Sequence, residues 1–241
     1  EQMVQAEAVP QSVIMKNFFQ RYTPLQIIMH IGAWFPLARL VFDFLTDNLT
    51  ANPIQAMEQR TGRAAVTLLL LSLACTPMNT LFGWKEPLKR RRALGLYAFL
   101  YATVHVLIFL DLDFGLAWSL IIQTVFQKPY IIVGMTAFLL LIPLAVTSFD
   151  VWKIRLKKNW KRLHQVVYFI APLVILHYGW SKKGTFLALQ GDIVRPLVYG
   201  LVLLLLLIFR LPPVRRALAS LRDRLLLPLL RPKSQPKPTS E

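Results

Sequence analysis

Six stretches of mostly apolar residues dominate this sequence, and a chain that carries them has few folds open to it. They cover residues 25–45, 63–82, 94–111, 130–149, 163–180 and 194–210. About 20 apolar residues of helix cross the hydrocarbon core of a bilayer. Backbone polar groups in lipid must be satisfied within the protein, which leaves helices or closed barrels. Segments of this length favour helices. The sequence therefore reads as all-α: a polytopic membrane protein folded as a six-transmembrane-helix bundle. A mean hydropathy of +0.48 and a charged fraction of only 17% exclude an ordinary soluble domain. We expect a cytoplasmic N-terminal segment (1–23), a transmembrane domain (24–211) and a basic, partly disordered tail (212–241). No second domain, internal repeat or Gly-rich nucleotide loop is evident.

The net charge is +16, which on a soluble chain would suggest nucleic acid. Its distribution points elsewhere. Of 28 Lys and Arg, 21 fall in four places: Lys16 and Arg21, Lys85 with Lys89 to Arg92, the run Lys153 to Arg162, and the end of the chain from Arg210. The alternate loops hold six, and Arg39 lies in the first apolar stretch. Lys and Arg mark cytoplasmic loops, so both termini are expected inside, with anionic membrane lipids and not nucleic acid as partners of the charge. Residues 1–23 lack the basic region and apolar core of a cleavable signal. The lone Cys75 excludes an intramolecular disulfide and a four-Cys iron–sulfur cluster. The segment 114–127 is too short to span and reads as an interfacial helix on the outer side. "LRDRLLLPLLRP" reads as amphipathic, lying on the inner surface.

Four histidines remain to be explained. Ionisable groups inside membrane helices are rare and usually functional. His105 lies roughly 18 Å and His177 roughly 21 Å from the inner ends of their helices at 1.5 Å per residue. These two helices run in the same direction, so the imidazoles share a depth in the outer half of the membrane. That is what a bis-His haem needs if the helices are neighbours. His164 is 13 residues before His177, roughly 20 Å deeper and roughly 140° around the helix. A stacked second site would need a histidine about a dozen residues before His105, where the chain has Arg90, Arg91 and Arg92. His164 reads either as an inner ligand or as an interfacial residue beside the basic loop. His30 reads as a packing residue and is otherwise the one imidazole near that depth. Asp111 and Asp113 read as solvated loop acids. "KRRRALGLY" reads as a topology anchor, or as a clamp for a flavin phosphate or an acidic reductase.

Taken in order, "HIGAWFP", "TGRAAVTLLLLSLACTP", "RRRALGLYAFLYATVH", "KPYIIVGMTAFLLLIPLAVTS" and "NWKRLHQVVYFIAPLVILHYGW" resemble the MsrQ (YedZ) family of the ferric reductase-like transmembrane group, over residues 25 to 210. The resemblance implies an inner-membrane haem b protein that also uses FMN. It implies electron flow from quinol to MsrP, a periplasmic molybdopterin-containing reductase of methionine sulfoxide. A cytoplasmic flavin reductase is a further implied partner. Carried over by position, the haem-linked residues are His105, His164 and His177, giving one haem b, or two if the inner site is filled. Relatives commonly have glycine after the leucine of the "LKKNWKRLH" connector, where this chain has Lys157.

Residues 211–241 leave no room for the pyridine-nucleotide domain of NADPH oxidases, so electrons are expected from quinol or a separate reductase. No thiol pair or outer domain for sulfoxide chemistry is visible, and the chain reads as a conduit. Two rivals stand beside this. One is a stand-alone ferric or quinone reductase. The other is a transporter or scaffold whose histidines relay protons or only pack.

Overall fold

The structure is a computed structural model that describes residues 23–182, 184–185 and 190–230. The N-terminal stretch 1–22 and the Pro-rich end from residue 231 lie outside the described residues. Residues 23–49 and 50–230 belong to two separate compact units.

The first unit holds α1 (Pro24–Leu45). Thr23 caps it, its hydroxyl accepting from the Gln26 N–H, and Pro24 supplies a ready-made first turn. Most of its large side chains are exposed, among them Ile28, Ile31, Trp34 and Phe35, as a lipid-facing helix requires. Arg39 donates from Nε to Asp43 Oδ2 at 3.0 Å, one turn away. That pairing lets an apolar helix carry both charges.

The second unit holds the remaining helices. These are α2 (Pro53–Phe82), α3 (Glu86–Leu107), α4 (Trp118–Gln127), α5 (Pro129–Val146), α6 (Asp150–Leu156), α7 (Lys158–Gln165), α8 (Val167–Trp180), α9 (Val194–Ile208) and α10 (Pro212–Leu230). Helix α2 packs on α3, α3 on α5, α5 on α8, α8 on α9, and α9 back on α2. The five close a ring, with α3 and α8 facing each other across its interior. Polar ties pin the ring. The Ser72 hydroxyl donates to the Arg91 carbonyl at 2.9 Å, and Thr67 and Tyr199 share a 2.7 Å hydrogen bond. A two-residue antiparallel ladder, Gly184–Thr185 with Gln190–Gly191, lies between α8 and α9.

Counting α1, five helices among the described residues are long and apolar enough to cross a membrane, and the protein is a multi-pass membrane protein. The sixth apolar segment, α9, is 15 residues long and joins α10 through a 79° bend. At the bend the Arg210 guanidinium donates to the Tyr168 hydroxyl and, at 2.5 Å, to the Leu73 carbonyl. One side chain thus ties the bend to α8 and α2. Arg222 of α10 reaches the last carbonyls of α2, Asn79 and Thr80, at 3.5 and 3.4 Å, where a cation complements the helix dipole.

Two helices are longer than hydropathy suggests. Helix α2 starts at Pro53, ten residues before the apolar run at 63, because Asn52 caps it and accepts from the Gln55 N–H at 3.0 Å. Helix α3 starts at Glu86 and continues past Leu107 as a π-helical turn, Ile108–Asp113. The expected short helix at 114–127 is α4, with Ile121 and Thr124 buried and Trp118 and Phe126 exposed.

Candidate functional site

His105 and His177 face each other inside the ring. Their ring centroids are 6.2 Å apart with planes at 76°. They share a cavity of about 280 Å³. Each imidazole is held by the same device. His105 Nδ1 lies 3.0 Å from the Glu58 carbonyl on α2, and His177 Nδ1 lies 2.7 Å from the Tyr130 carbonyl on α5. A carbonyl can only accept, so each Nδ1 carries the proton and donates. Each Nε2 is left with a free lone pair, the state a metal ligand needs.

Each ring also lies against a glycine of the neighbouring helix. Gly62 follows Glu58 by one turn and faces His105; Gly134 follows Tyr130 by one turn and faces His177. The two arrangements are copies. Glu58, Gly62 and His105 become Tyr130, Gly134 and His177 on adding 72 to each number. The same shift relates Leu69 to Leu141, and both of these line the paired-histidine cavity and the cavity beyond it. The α2–α3 and α5–α8 pairs are thus repeated units that present matched imidazoles to one space.

The centroid spacing can be tested against ligation. A metal–imidazole bond is about 2.0–2.1 Å, and the bonded nitrogen sits about 1.1 Å from its ring centroid, so two imidazoles on opposite sides of one metal have centroids about 6.3 Å apart. The observed 6.2 Å fits. Among the described residues no group of three or more His, Cys, Asp or Glu could hold a metal ion. The pair can supply two opposed ligands, and the remaining positions would have to come with the cofactor. Small residues, Ala65, Ala98, Ala102 and Ala137, line the space beside the rings. Charged groups line the same cavity: Glu58, Arg63, Asp113, Lys128 and Lys182. Asp113, at the end of the π turn, is exposed, as a solvated acid should be, and sits at the rim of this cavity. Lys182 donates to Asp192 at 2.6 Å, and this bond holds the Asp192 carboxyl below the usual carboxylate range.

His164 lies in a second cavity of about 480 Å³ with Arg91, Arg92, Lys161, Trp160 and Tyr168. Its Nδ1 faces the Trp160 carbonyl at 3.0 Å, and its ring stacks on Trp160 with centroids 4.1 Å apart. Its buried Nε2 has no hydrogen-bond partner among the described residues. Adding 72 to Arg92 gives His164, so an arginine occupies the position that matches this histidine. Arg92 donates to Asp150 at 2.9 Å. His30 lies on α1, in the other unit, and is half-buried there.

Sequence reasoning missed the two carbonyl acceptors and the two glycines. The spacing that reveals them is 47 residues from acceptor to histidine and 43 from glycine to histidine, in both halves.

Comparison with known proteins identifies the family. Residues 61–175 match the family described as "Ferric reductase like transmembrane component". The heme-binding subunit MsrQ of protein-methionine-sulfoxide reductase from Xanthomonas axonopodis pv. citri is 42% identical over 189 residues, covering 76% of this chain and 84% of the relative. The MsrQ of Xanthomonas campestris pv. campestris (strain 8004) is 43% identical over 188 residues, 76% and 83%. That of Herminiimonas arsenicoxydans is 40% identical over 189 residues, 78% and 84%. No solved structure matches significantly. The ring of helices, the paired imidazoles and these relatives lead to one conclusion: the chain belongs to the MsrQ family of ferric reductase-like membrane proteins.

Proposed function

We propose that the chain is a haem b electron-transfer subunit that serves a periplasmic molybdenum-containing methionine sulfoxide reductase, MsrP, and draws on the quinol pool. The observation that carries this reading is the His105–His177 pair, at ligation spacing, with both Nδ1 protons committed to carbonyls. These two residues would hold the haem iron. Bound haem supplies one-electron redox chemistry. The protein's part is to fix each imidazole in the tautomer that presents Nε2, to raise its basicity through the carbonyl contact, and to exclude water with apolar walls. Arg63 and Lys128 suit the carboxylates that such a cofactor carries.

The second cavity is our candidate for electron arrival. Arg91, Arg92 and Lys161 offer cationic donors for the phosphate of FMN, and Trp160 offers an aromatic face. His164 faces the same space. With the basic loops inside, this cavity opens toward the cytoplasm, where a flavin reductase could also dock, and the paired histidines lie toward the outer face of the bacterial inner membrane. Electrons leave there, over the 112–128 and 181–193 loops. The amphipathic end of helix α10 lies along the inner surface, against anionic lipids.

The test is direct. Protein purified in mild detergent is examined by oxidised and dithionite-reduced spectra, with haem quantified as the pyridine haemochrome. A low-spin b-type spectrum is expected, lost in His105→Ala and in His177→Ala. Full retention of that spectrum in both variants overturns the reading.

A further inference from the structure

The two copies of the ligand cradle are not equally tight. A Cβ built on Gly62 meets His105 Nδ1 at 3.4 Å and Cε1 at 3.5 Å, which is ordinary contact. A Cβ built on Gly134 meets His177 at 2.5 Å from Nδ1, 2.6 Å from Cε1 and 3.0 Å from Cγ. No carbon tolerates the last set, so the ring occupies the space a side chain would take. Glycine inside a helix is less stable than alanine. In membrane helices it is kept where another group approaches closely.

The ring cannot easily yield. His177 Nδ1 lies 2.7 Å from the Tyr130 carbonyl, one turn before Gly134 on the same helix. Moving the imidazole away from residue 134 lengthens that bond and swings Nε2 from its line toward His105. Tyr130 adds a flank, its ring centroid 6.0 Å from that of His177. Gly134 and the Tyr130 carbonyl therefore act together, one as a seat and one as a latch.

We infer that Gly134 is a positioning residue: its bare backbone seats the His177 imidazole, so that any side chain at 134 displaces Nε2 from the axis it shares with His105. At Gly62 the same substitution is accommodated. The inference rests on the haem reading for its spectroscopic consequence, but the contact itself can be tested without cofactor.

The experiment compares wild type, Gly134→Ala and Gly62→Ala, purified in the same detergent, by optical and electron paramagnetic resonance spectra. Gly134→Ala is expected to lose the low-spin signal in favour of a high-spin one, and to regain a low-spin signal when free imidazole is added. Gly62→Ala is expected to stay low-spin. A Gly134→Ala protein with unchanged spectra overturns the inference. So does a Gly134→Ala spectrum that is altered but indifferent to imidazole.

A double-mutant cycle covers the case of poor folding. Thermal unfolding and membrane accumulation are measured for cofactor-free Gly134→Ala with His177 present and with His177→Ala. The ring contact predicts that the loss seen with His177 present vanishes when the ring is removed. An equal loss in both backgrounds overturns the inference. A wild type without any haem spectrum would instead defeat the functional reading, and the cofactor-free cycle would still decide the role of Gly134.

Discussion

The two cavities of the ring share α2, α3, α5 and α8, with α7 added to the second, and differ in what faces what. In the first, His105 and His177 occupy matched positions of the repeat, and each has its Nδ1 fixed by a carbonyl from a neighbouring helix. In the second, His164 is matched by Arg92, and its Nδ1 turns back to its own helix, to Trp160. The comparison teaches that symmetry of backbone does not dictate symmetry of chemistry. One difference within a repeat separates a site of paired imidazoles from a cationic one suited to an anionic group.

Several measurements would break or sharpen that contrast. The largest effect is expected from the tautomer-fixing pair: His177→Ala removes the low-spin haem spectrum, whereas His164→Ala leaves it in place and alters only reduction by the cytoplasmic donor. Equal spectral loss in the two variants would erase the distinction between the cavities. Next comes the bend beside the second cavity. Arg210→Leu removes two charge-assisted bonds, to Tyr168 and Leu73, and a loss of about 3 kcal/mol or more in detergent stability is expected, each such bond being worth about 1.5–3 kcal/mol. Lysine at 210, a point charge without the fork, should recover little of it.

A smaller effect, of opposite sign, is expected at the connector between α6 and α7. Lys157 sits there at φ 48°, ψ −121°, a backbone region that glycine alone adopts without strain. Lys157→Gly should stabilise the protein by about 1 kcal/mol, read as a higher unfolding temperature. No gain would show that neighbouring contacts relieve the strain. The smallest effect is expected at the other end of the ring. Asp192→Asn should change stability by less than about 1 kcal/mol, as for exposed pairs. Because the Lys182 bond lowers the folded-state pKa of Asp192, the pair stabilises above the unfolded value of about 3.8 and is lost as pH falls below it. Wild type and variant should therefore converge in acid.

Much of this was legible in the residues. Among the described residues hydropathy located the five helices long and apolar enough to cross a membrane and the shorter sixth segment, and helix rise alone put His105 and His177 at one depth, where the structure brings their rings together. The limits were physical. The first ten residues of α2 are polar, so Glu58 lay outside any apolar window although it sits above His105. A backbone carbonyl acceptor has no side-chain signature, so Tyr130 and Glu58 could not be singled out as holders of the rings. The repeat escaped notice because leucine, valine and alanine substitute for one another between its halves, and only a few positions need to match. The glycine expected before "KNWKRLH" reports a real backbone demand, and Lys157 meets it under strain.

The short helix α9 has a consequence for the bilayer itself. Its 15 residues rise only about 22 Å, while an average hydrocarbon core is about 30 Å thick, and the chain then turns by 79° with Arg210 at the corner. Lipid beside this edge must thin, or headgroups must dip inward to meet the arginine. The protein therefore has one shallow flank and should prefer short acyl chains there. Reconstitution in thick, sterol-like bilayers would strain the Arg210 corner before it strained the histidine pair.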